Sequence, residues 1–268
     1  MCFASPFLLE RRVRYWRGAV VRPGQPSLIP GVMFAACGDR QKVLMTSIFL
    51  PVLAIHILFG LICVAIGWMP LITRKGGRLH RLSGRVFSGA MAVLLIAAWI
   101  MTVIHFSAYF LALTAMATLG LFSGLRVLDR KRPDLKREDR ARPLDWLVTS
   151  GIVGVALTTL YLTMSGAAGG GFAVSAALAA AGLVYGVYDL WRFCAPTAWP
   201  FSPRLWMYEH LVKMIGAYSA VWAAFSGNFM TFIPAPWSQL WPSLVFQALA
   251  LGWLVWLVRQ RPAFAVLP

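Results

Sequence analysis

Residues 44–70 read LMTSIFLPVLAIHILFGLICVAIGWMP and contain one histidine but no lysine, arginine, aspartate or glutamate. A helix that crosses about 30 Å of hydrocarbon at about 1.5 Å per residue needs roughly 20 mostly apolar residues. This stretch is long enough and apolar enough to meet that requirement. It therefore predicts a transmembrane helix.

The composition of the whole chain points to the same class. Hydrophobic residues make up 59% of the chain, charged residues make up 13%, and the mean hydropathy is +0.70. An ordinary soluble domain carries about 25% charged residues. The apolar residues also occur in long uncharged runs rather than in short stretches with core periodicity. The composition therefore excludes an ordinary soluble domain.

Seven segments, the first included, have this length and hydrophobicity or come close. We predict an all-α fold, a polytopic integral membrane bundle of about seven transmembrane helices. The second and third helices meet in HFSAY (residues 105–109), because a single helix of their combined length would overshoot a bilayer. The predicted helices cover residues 44–70, 86–106, 107–125, 146–165, 172–191, 206–231 and 239–258.

The basic residues predict the orientation of the bundle. RKGGRLHRLSGRVF (residues 74–87) follows the first helix and contains basic residues but no acid, and the loop around residues 126–142 and the C-terminal tail are also basic. The opposite turns, around residues 106, 168 and 235, contain no lysine or arginine. Because lysine and arginine stay on the cytoplasmic side, we expect the N-terminus outside and the C-terminus inside.

The same basic loops suggest the expected partners. We expect them to contact anionic lipid headgroups, which attract basic residues near the cytoplasmic leaflet. The run DRKRPDLKREDRARPLD (residues 129–145) mixes both signs of charge, which is typical of a solvated linker and not of a nucleic-acid site. The GxxxG-type pairs Gly120/Gly124 and Gly182/Gly186 provide small faces for helix packing or oligomerisation.

Three regions describe the expected domain organisation. Residues 43–259 form the transmembrane domain, and residues 260–268 form a short cytoplasmic tail. Residues 1–42 form an N-terminal extension that is rich in basic residues although it would have to cross the membrane. Translation starting at Met45 would remove that conflict, so this start is one interpretation of the extension, and disorder is the other.

Ionisable residues inside transmembrane helices are rare and are functional candidates by default. In the predicted helices they include His56, near the middle of the first, and two groups near helix ends. One interpretation pairs these groups within their own helices, Glu209 with Lys213 at i, i+4 and Asp189 with Arg192 at i, i+3, as interfacial ion pairs.

The other interpretation is a polar site at the cytoplasmic face. His80 and His210 are expected at similar depth, and His210 shares a helical stripe with Tyr218. A cluster of these groups could handle a proton, an anionic headgroup or a small anion. The candidate site residues are His56, His80, Arg81, Arg85, Glu209, His210 and Tyr218.

Two alternatives belong to other functional classes. One is a membrane redox protein that holds a quinone, or haem b with His80 and His210 as axial ligands. The other is a non-catalytic membrane scaffold. The sequence contains no metal motif, no CxxC pair and no recognisable catalytic triad, so a dedicated hydrolase is not expected and no enzyme class is assigned.

Several motifs together resemble a group of uncharacterised bacterial multi-spanning membrane proteins. The motifs are a histidine in the first span, a KG…HR…GR loop, an SG-x-R helix end and an H…MxGAY…AF…N helix, over roughly residues 53–228. The resemblance implies a bacterial inner-membrane location but no activity. The chain departs from the group at Leu121 and Phe122, where a tyrosine-containing stretch is usual. The matching positions are His56, Gly60, Lys75, Gly76, His80, Arg81, Gly84, Arg85, Gly124, Arg126, His210, Met214, Gly216, Ala217, Tyr218, Phe225 and Asn228.

Overall fold

A computed structural model describes residues 30–167, 171–199 and 201–259, with side chains from residue 47. Most of the predicted 1–42 extension and the whole 260–268 tail therefore lie outside the described residues. The chain divides into two units, Met1–Ile48 and Phe49–Pro268. The described part of the first unit is helical, and the helical bundle belongs to the second unit.

The described residues form α-helices and contain no strand, which confirms the all-α part of the predicted fold class. Two short 3-10 helices, Val127–Asp129 and Arg137–Asp139, lie in the basic loop between α4 and α5. The helices are α1 (Pro30–Ile66), α2 (Trp68–Ile72), α3 (Arg78–Ile104), α4 (Ala108–Arg126), α5 (Pro143–Met164), α6 (Phe172–Cys194), α7 (Leu205–Phe229) and α8 (Trp237–Arg259).

Six helical segments in the described part of the chain are long and apolar enough to cross a membrane. The helix α7 is not among them, although it corresponds to a predicted span, because polar residues in its first turns and along its length lower its hydropathy. The six segments are Ser47–Ile72, Arg78–Ile104, Ala108–Asp129, Arg137–Met164, Phe172–Cys194 and Trp237–Arg259.

The helix α3 begins eight residues before the predicted second span. Its first turns contain most of the basic motif for which the sequence predicts a loop. Arg78, Arg81 and Arg85 are exposed, whereas Ser83 and Phe87 are buried. The basic segment is therefore an amphipathic helical extension. Hydropathy places the start of the apolar span after these charged residues. The helix itself begins earlier, because backbone hydrogen bonds form regardless of side-chain charge.

Small residues set the closest helix contacts. A Cβ built on Gly120 would lie 3.1 Å from Cβ of Ala217, so α4 meets α7 along the face that includes Gly124. A Cβ built on Gly186 would collide with Cγ2 of Val153, so α6 meets α5. Both GxxxG-type faces are thus covered within the chain.

The main apolar core surrounds Tyr218. Its ring packs edge-on against Trp68, Phe87 and Phe246, at centroid distances of 5.8, 5.7 and 5.2 Å. Its hydroxyl donates a 2.7 Å hydrogen bond to the backbone oxygen of Val64. Tyr218 thereby joins α7 to the end of α1 and to α2, α3 and α8.

Candidate functional site

The short connection between α2 and α3, residues 73–77, covers the end of α2. Nζ of Lys75 donates hydrogen bonds to the backbone oxygens of Pro70 (2.7 Å) and Leu71 (2.5 Å), and it lies 4.0 Å from the ring centroid of Trp253. The last carbonyls of a helix have no partner inside the helix, so this lysine supplies one. Although the side chain is exposed as a whole, partial burial lowers the pKa of Lys75 to about 8.

The three candidate histidines each contact a backbone carbonyl through Nδ1. His80 contacts Pro70 at 3.1 Å, His210 contacts Gly124 at 2.8 Å, and His56 contacts Leu94 at 3.4 Å. A carbonyl oxygen only accepts, so Nδ1 carries the proton and Nε2 is the remaining ring nitrogen. His80 and His210 lie within electrostatic range of each other. Among the described residues, no group of three or more His, Cys, Asp or Glu side chains could hold a metal ion.

The other members of the predicted cytoplasmic cluster do not gather around these histidines. Arg81 and Arg85 are exposed, and in the described part of the chain no hydrogen bond or ion pair joins them to Glu209. Glu209 instead accepts hydrogen bonds from the Tyr188 hydroxyl (2.7 Å) and from Nε of Arg192 (2.9 Å). The acid thus belongs to a contact between α6 and α7.

A second contact between α6 and α7 is an almost fully buried ion pair. Nζ of Lys213 lies 2.5 Å from Oδ1 of Asp189 and donates a 2.8 Å hydrogen bond to Oγ of Ser123. Ser123 on α4 donates in turn to Oδ2 of Asp189 at 2.5 Å. Relative exposures are 2% for Ser123, 1% for Asp189 and 4% for Lys213. Three helices therefore close one hydrogen-bonded triangle.

The two ion pairs correct the sequence interpretation. Intrahelical pairing of Glu209 with Lys213, and of Asp189 with Arg192, is wrong. Each acid of one helix pairs with the cation of the other, Asp189 with Lys213 and Arg192 with Glu209. Spacing along one helix is compatible with an exposed ion pair, which would contribute a few tenths of a kcal/mol. These charges are instead buried between α6 and α7, where an unpaired charge is strongly destabilising, so each one needs a partner.

A third charged contact connects α4 to α5. Arg126 at the end of α4 binds both carboxylate oxygens of Asp145, with Nε–Oδ1 at 2.8 Å and Nη2–Oδ2 at 3.1 Å. Its Nη1 also binds Asp129 at 2.8 Å. Asp145 accepts a hydrogen bond from the backbone N–H of Arg142 at 2.8 Å, so it caps the start of α5 as well.

A cavity of about 160 Å³ lies between α4, α6, α7 and α8. Most of its lining is apolar or small, and Ser123, Asp189 and Lys213 form a charged part of its wall. Further along, the Tyr185 hydroxyl donates a 3.2 Å hydrogen bond to Oε1 of Gln247 and thus links α6 to α8. The helix α6 packs on α4 and α5, and α8 packs on α7, but no comparable packing joins α6 to α8 in the described residues. We call the cavity between α4, α6, α7 and α8 the membrane cavity.

A smaller cavity of about 20 Å³ also borders the ion pair of Asp189 and Lys213, next to the loop between α4 and α5. Its charged lining residues are Arg130, Arg140, Asp189, Arg192, Glu209 and Lys213. We call it the edge cavity. Asp189 and Lys213 line both cavities, so the buried ion pair forms part of the boundary between them.

Sequence reasoning missed two members of this arrangement, Ser123 and Tyr188. Ser123 lies in the SG-x-R helix end that the motif comparison singled out, so a small hydroxyl next to Gly124 was a usable signal. Tyr188 precedes Asp189 and offered no comparable signal.

Comparison of the chain with protein-family profiles, with curated proteins and with solved structures finds no match.

Proposed function

We propose that this chain is a seven-span protein of the bacterial inner membrane, with α7 as the seventh span and with the basic loops and C-terminus on the cytoplasmic side. The length of α7, 25 residues, is similar to that of its neighbours, and it packs against α4 and α8. Its charges Glu209 and Lys213 are both paired with α6. Pairing inside a bundle is the usual condition for ionisable residues within a membrane.

The proposed activity is to take up a small, lipid-soluble molecule with one hydrogen-bonding end. The observation that carries this proposal is the ion pair of Asp189 and Lys213, which lines both the membrane cavity and the edge cavity. Small-molecule sites are mostly apolar with a few placed polar groups, and intramembrane ionisable residues mark substrate or proton pathways. The membrane cavity has this composition.

The size of the membrane cavity limits the ligand. An apolar cavity of about 150 Å³ accommodates benzene, and the membrane cavity is about 160 Å³. A ring-sized apolar body fits, with its polar end towards Ser123 and Lys213. The weakly packed side between α6 and α8 is the proposed entrance from the bilayer, where the hydrogen bond of Tyr185 with Gln247 spans the gap.

The position of the ion pair suggests a second step after uptake. A polar end that hydrogen-bonds to Ser123 or Lys213 competes with the contacts inside the triangle. Loosening of those contacts would open the boundary towards the edge cavity. That cavity, of about 20 Å³, is too small for the ring-sized molecule, so the proton of the molecule is what passes towards the cytoplasmic face. The ion pair then acts as a gate.

Photolabelling in liposomes tests the ligand site. The probes are 3-trifluoromethyl-3-phenyldiazirine and its hydroxymethyl derivative, which adds one hydrogen-bonding group. We expect adducts on cavity-lining residues of α7 such as Ala220 and Ala223. We also expect more adducts from the hydroxymethyl probe, with this excess lost in Ser123→Ala.

Two glycine variants are the matched controls. In Gly216→Leu the new side chain projects towards Tyr185 and Gln247 and fills the membrane cavity, whereas Gly154→Leu on α5 meets open space. Labelling of the cavity should disappear in the first and persist in the second. Equal labelling in both variants, or adducts only on lipid-facing residues, would overturn the ligand site.

Cysteine labelling tests the topology separately. In a background without native cysteines, Ser165→Cys lies in the turn after α5 and Leu135→Cys lies in the basic loop, and both positions are exposed. A membrane-impermeant maleimide added to intact cells should label the first. It should label the second only after lysis. The opposite pattern would reverse the proposed orientation.

A further inference from the structure

The edge cavity contains an arginine whose burial the ion pairs do not explain. Arg130 follows the 3-10 helix Val127–Asp129 and is only 9% exposed. Its guanidinium lies 4.7 Å from the ring centroid of Phe193. Among the described residues its buried Nε has no hydrogen-bond partner. A buried donor without a partner is destabilising, and such a group in a native structure calls for an unseen acceptor.

The charges around Arg130 do not supply that acceptor. Of the two acids that line the edge cavity, Asp189 is paired with Lys213 and Glu209 with Arg192. Asp145, a carboxylate within electrostatic range of Arg130, binds Arg126 through both oxygens. The edge cavity therefore has an excess of positive charge from Arg130 and Arg140.

The shape of the edge cavity indicates how an anion would bind. Its volume of about 20 Å³ is enough for one or two atoms the size of a water oxygen, since one such group occupies about 10–15 Å³ on this scale. Arg140 is exposed and lines the same cavity, so the cavity reaches the surface. An anion at the mouth could place one or two oxygens inside, next to Arg130, while Arg140 contacts the outer oxygens.

We propose that the edge cavity binds a phosphate-type oxyanion, with Arg130 and Arg140 as its ligands. The guanidinium group presents a planar set of N–H donors that matches phosphate oxygens, and charge-assisted hydrogen bonds of this kind are strong. Arg130 and Arg140 have no ion-pair partner among the described residues, and their two charges match that of a phosphate monoester or of inorganic phosphate. The same chemistry is offered by a soluble phosphate compound and by the headgroup of phosphatidic acid.

This inference goes beyond the proposed uptake of a lipid-soluble molecule and does not depend on it. It concerns a different cavity and different ligands, and it is tested with different probes. Failure of photolabelling in the membrane cavity would leave the anion site standing. Failure of phosphate binding would leave the membrane cavity standing.

Calorimetry and thermal unfolding of the full chain in detergent test the site. Inorganic phosphate is titrated at fixed ionic strength, with chloride as the reference anion. Dioctanoyl phosphatidic acid is compared with dioctanoyl phosphatidylcholine in a parallel series. Stabilisation by phosphate at least equal to that by phosphatidic acid identifies a soluble ligand, and much stronger stabilisation by phosphatidic acid identifies a lipid headgroup.

Three arginine variants show whether the edge cavity is responsible. Arg140→Gln removes an exposed ligand and leaves the buried residues in place, and we expect phosphate or phosphatidic acid to bind about tenfold more weakly or worse. Arg130→Lys keeps the charge but loses the planar donor set, and it should also weaken binding. Arg137→Gln, an exposed arginine of the same loop that does not line the edge cavity, should bind as the unaltered chain does.

The contrary results are equally specific. Absence of any effect of phosphate and phosphatidic acid beyond those of chloride and phosphatidylcholine would overturn the proposal. Binding that is unchanged in both Arg140→Gln and Arg130→Lys would overturn it as well.

Discussion

Lys213 on α7 donates a hydrogen bond to Asp189 on α6 and not to Glu209, which lies one turn before it on its own helix. Glu209 is held instead by Arg192. The two helices therefore exchange partners, and each buried charge is neutralised across the interface. This exchange fixes the relative rotation of α6 and α7, because either helix turned about its axis would leave a buried charge without a partner.

A double-mutant cycle tests the exchanged pairing. Lys213→Met should lower the free energy of unfolding by about 3–5 kcal/mol, because it leaves Asp189 buried without its cation. Combined with Asp189→Asn, it should show a coupling energy of about 0.5–3 kcal/mol, and combined with Glu209→Gln it should show almost none. Unfolding in detergent, followed by helical ellipticity, provides the measurement.

The exposed pair of Lys136 and Glu138 provides the control for this cycle, with a distance of 3.8 Å. Lys136→Met should change the stability by less than about 1 kcal/mol, as exposed ion pairs usually do. Stronger coupling of Lys213 to Glu209 than to Asp189 would contradict the pairing across α6 and α7.

The contact of Gly186 with Val153 predicts a compensating pair of substitutions. Gly186→Ala should destabilise the protein by about 1–3 kcal/mol, because the new Cβ collides with a branched side chain. Adding Val153→Ala should recover part of that loss. Gly151→Ala on α5 meets open space and should be neutral or slightly stabilising. Equal effects of both glycine variants on thermal unfolding would argue against this helix contact.

The fork of Arg126 on Asp145 predicts a difference between arginine and lysine. Arg126→Lys keeps the charge but loses the two parallel hydrogen bonds that connect α4 to α5, so we expect a loss of about 1.5–3 kcal/mol. Arg132→Lys is the control, because its pair with Asp134 lies within the basic loop and is partly exposed. Chemical unfolding of both variants supplies the comparison. A larger loss from Arg132→Lys would contradict the structural role of Arg126.

The environment of Lys75 predicts an unusual pH profile of chemical reactivity. Burial lowers the pKa of Lys75 to about 8, whereas an ordinary lysine has a pKa of about 10.4. A lower pKa means that the neutral, nucleophilic amine forms at lower pH. Acetylation of Lys75 by limiting acetic anhydride, followed by peptide mass spectrometry, should therefore rise with a midpoint near pH 8.

The acylation of Lys136, an exposed lysine of the other basic loop, is the internal control. It should lag behind that of Lys75 at pH 8. Equal acylation of both lysines across the pH range would show that burial does not lower the pKa of Lys75.

The candidate site was only partly accessible to sequence reasoning. The rarity of ionisable residues in apolar spans draws attention to Asp189, Arg192, Glu209 and Lys213, although only Glu209 is among the predicted site residues. Their partners could not be read from spacing, because i, i+4 geometry describes only one helix. In the sequence the KG…HR motif stands out by its charge. In the structure Lys75 and His80 contact backbone carbonyl oxygens at the end of α2. That arrangement requires the chain to turn back after Ile72, and hydropathy contains no information about such a turn.

The fold class and six of the helical spans follow from the residues alone, because a bilayer requires long apolar helices whatever their neighbours are. The length of an apolar run is a local property, and the same is true of the break at HFSAY between α3 and α4. Contacts among Ser123, Asp189 and Lys213, the two cavities and the buried position of Arg130 depend on how helices rotate and pack. Side chains that are distant in sequence meet only in the packed bundle. The free energies of their interactions are decided by burial and by pairing between helices.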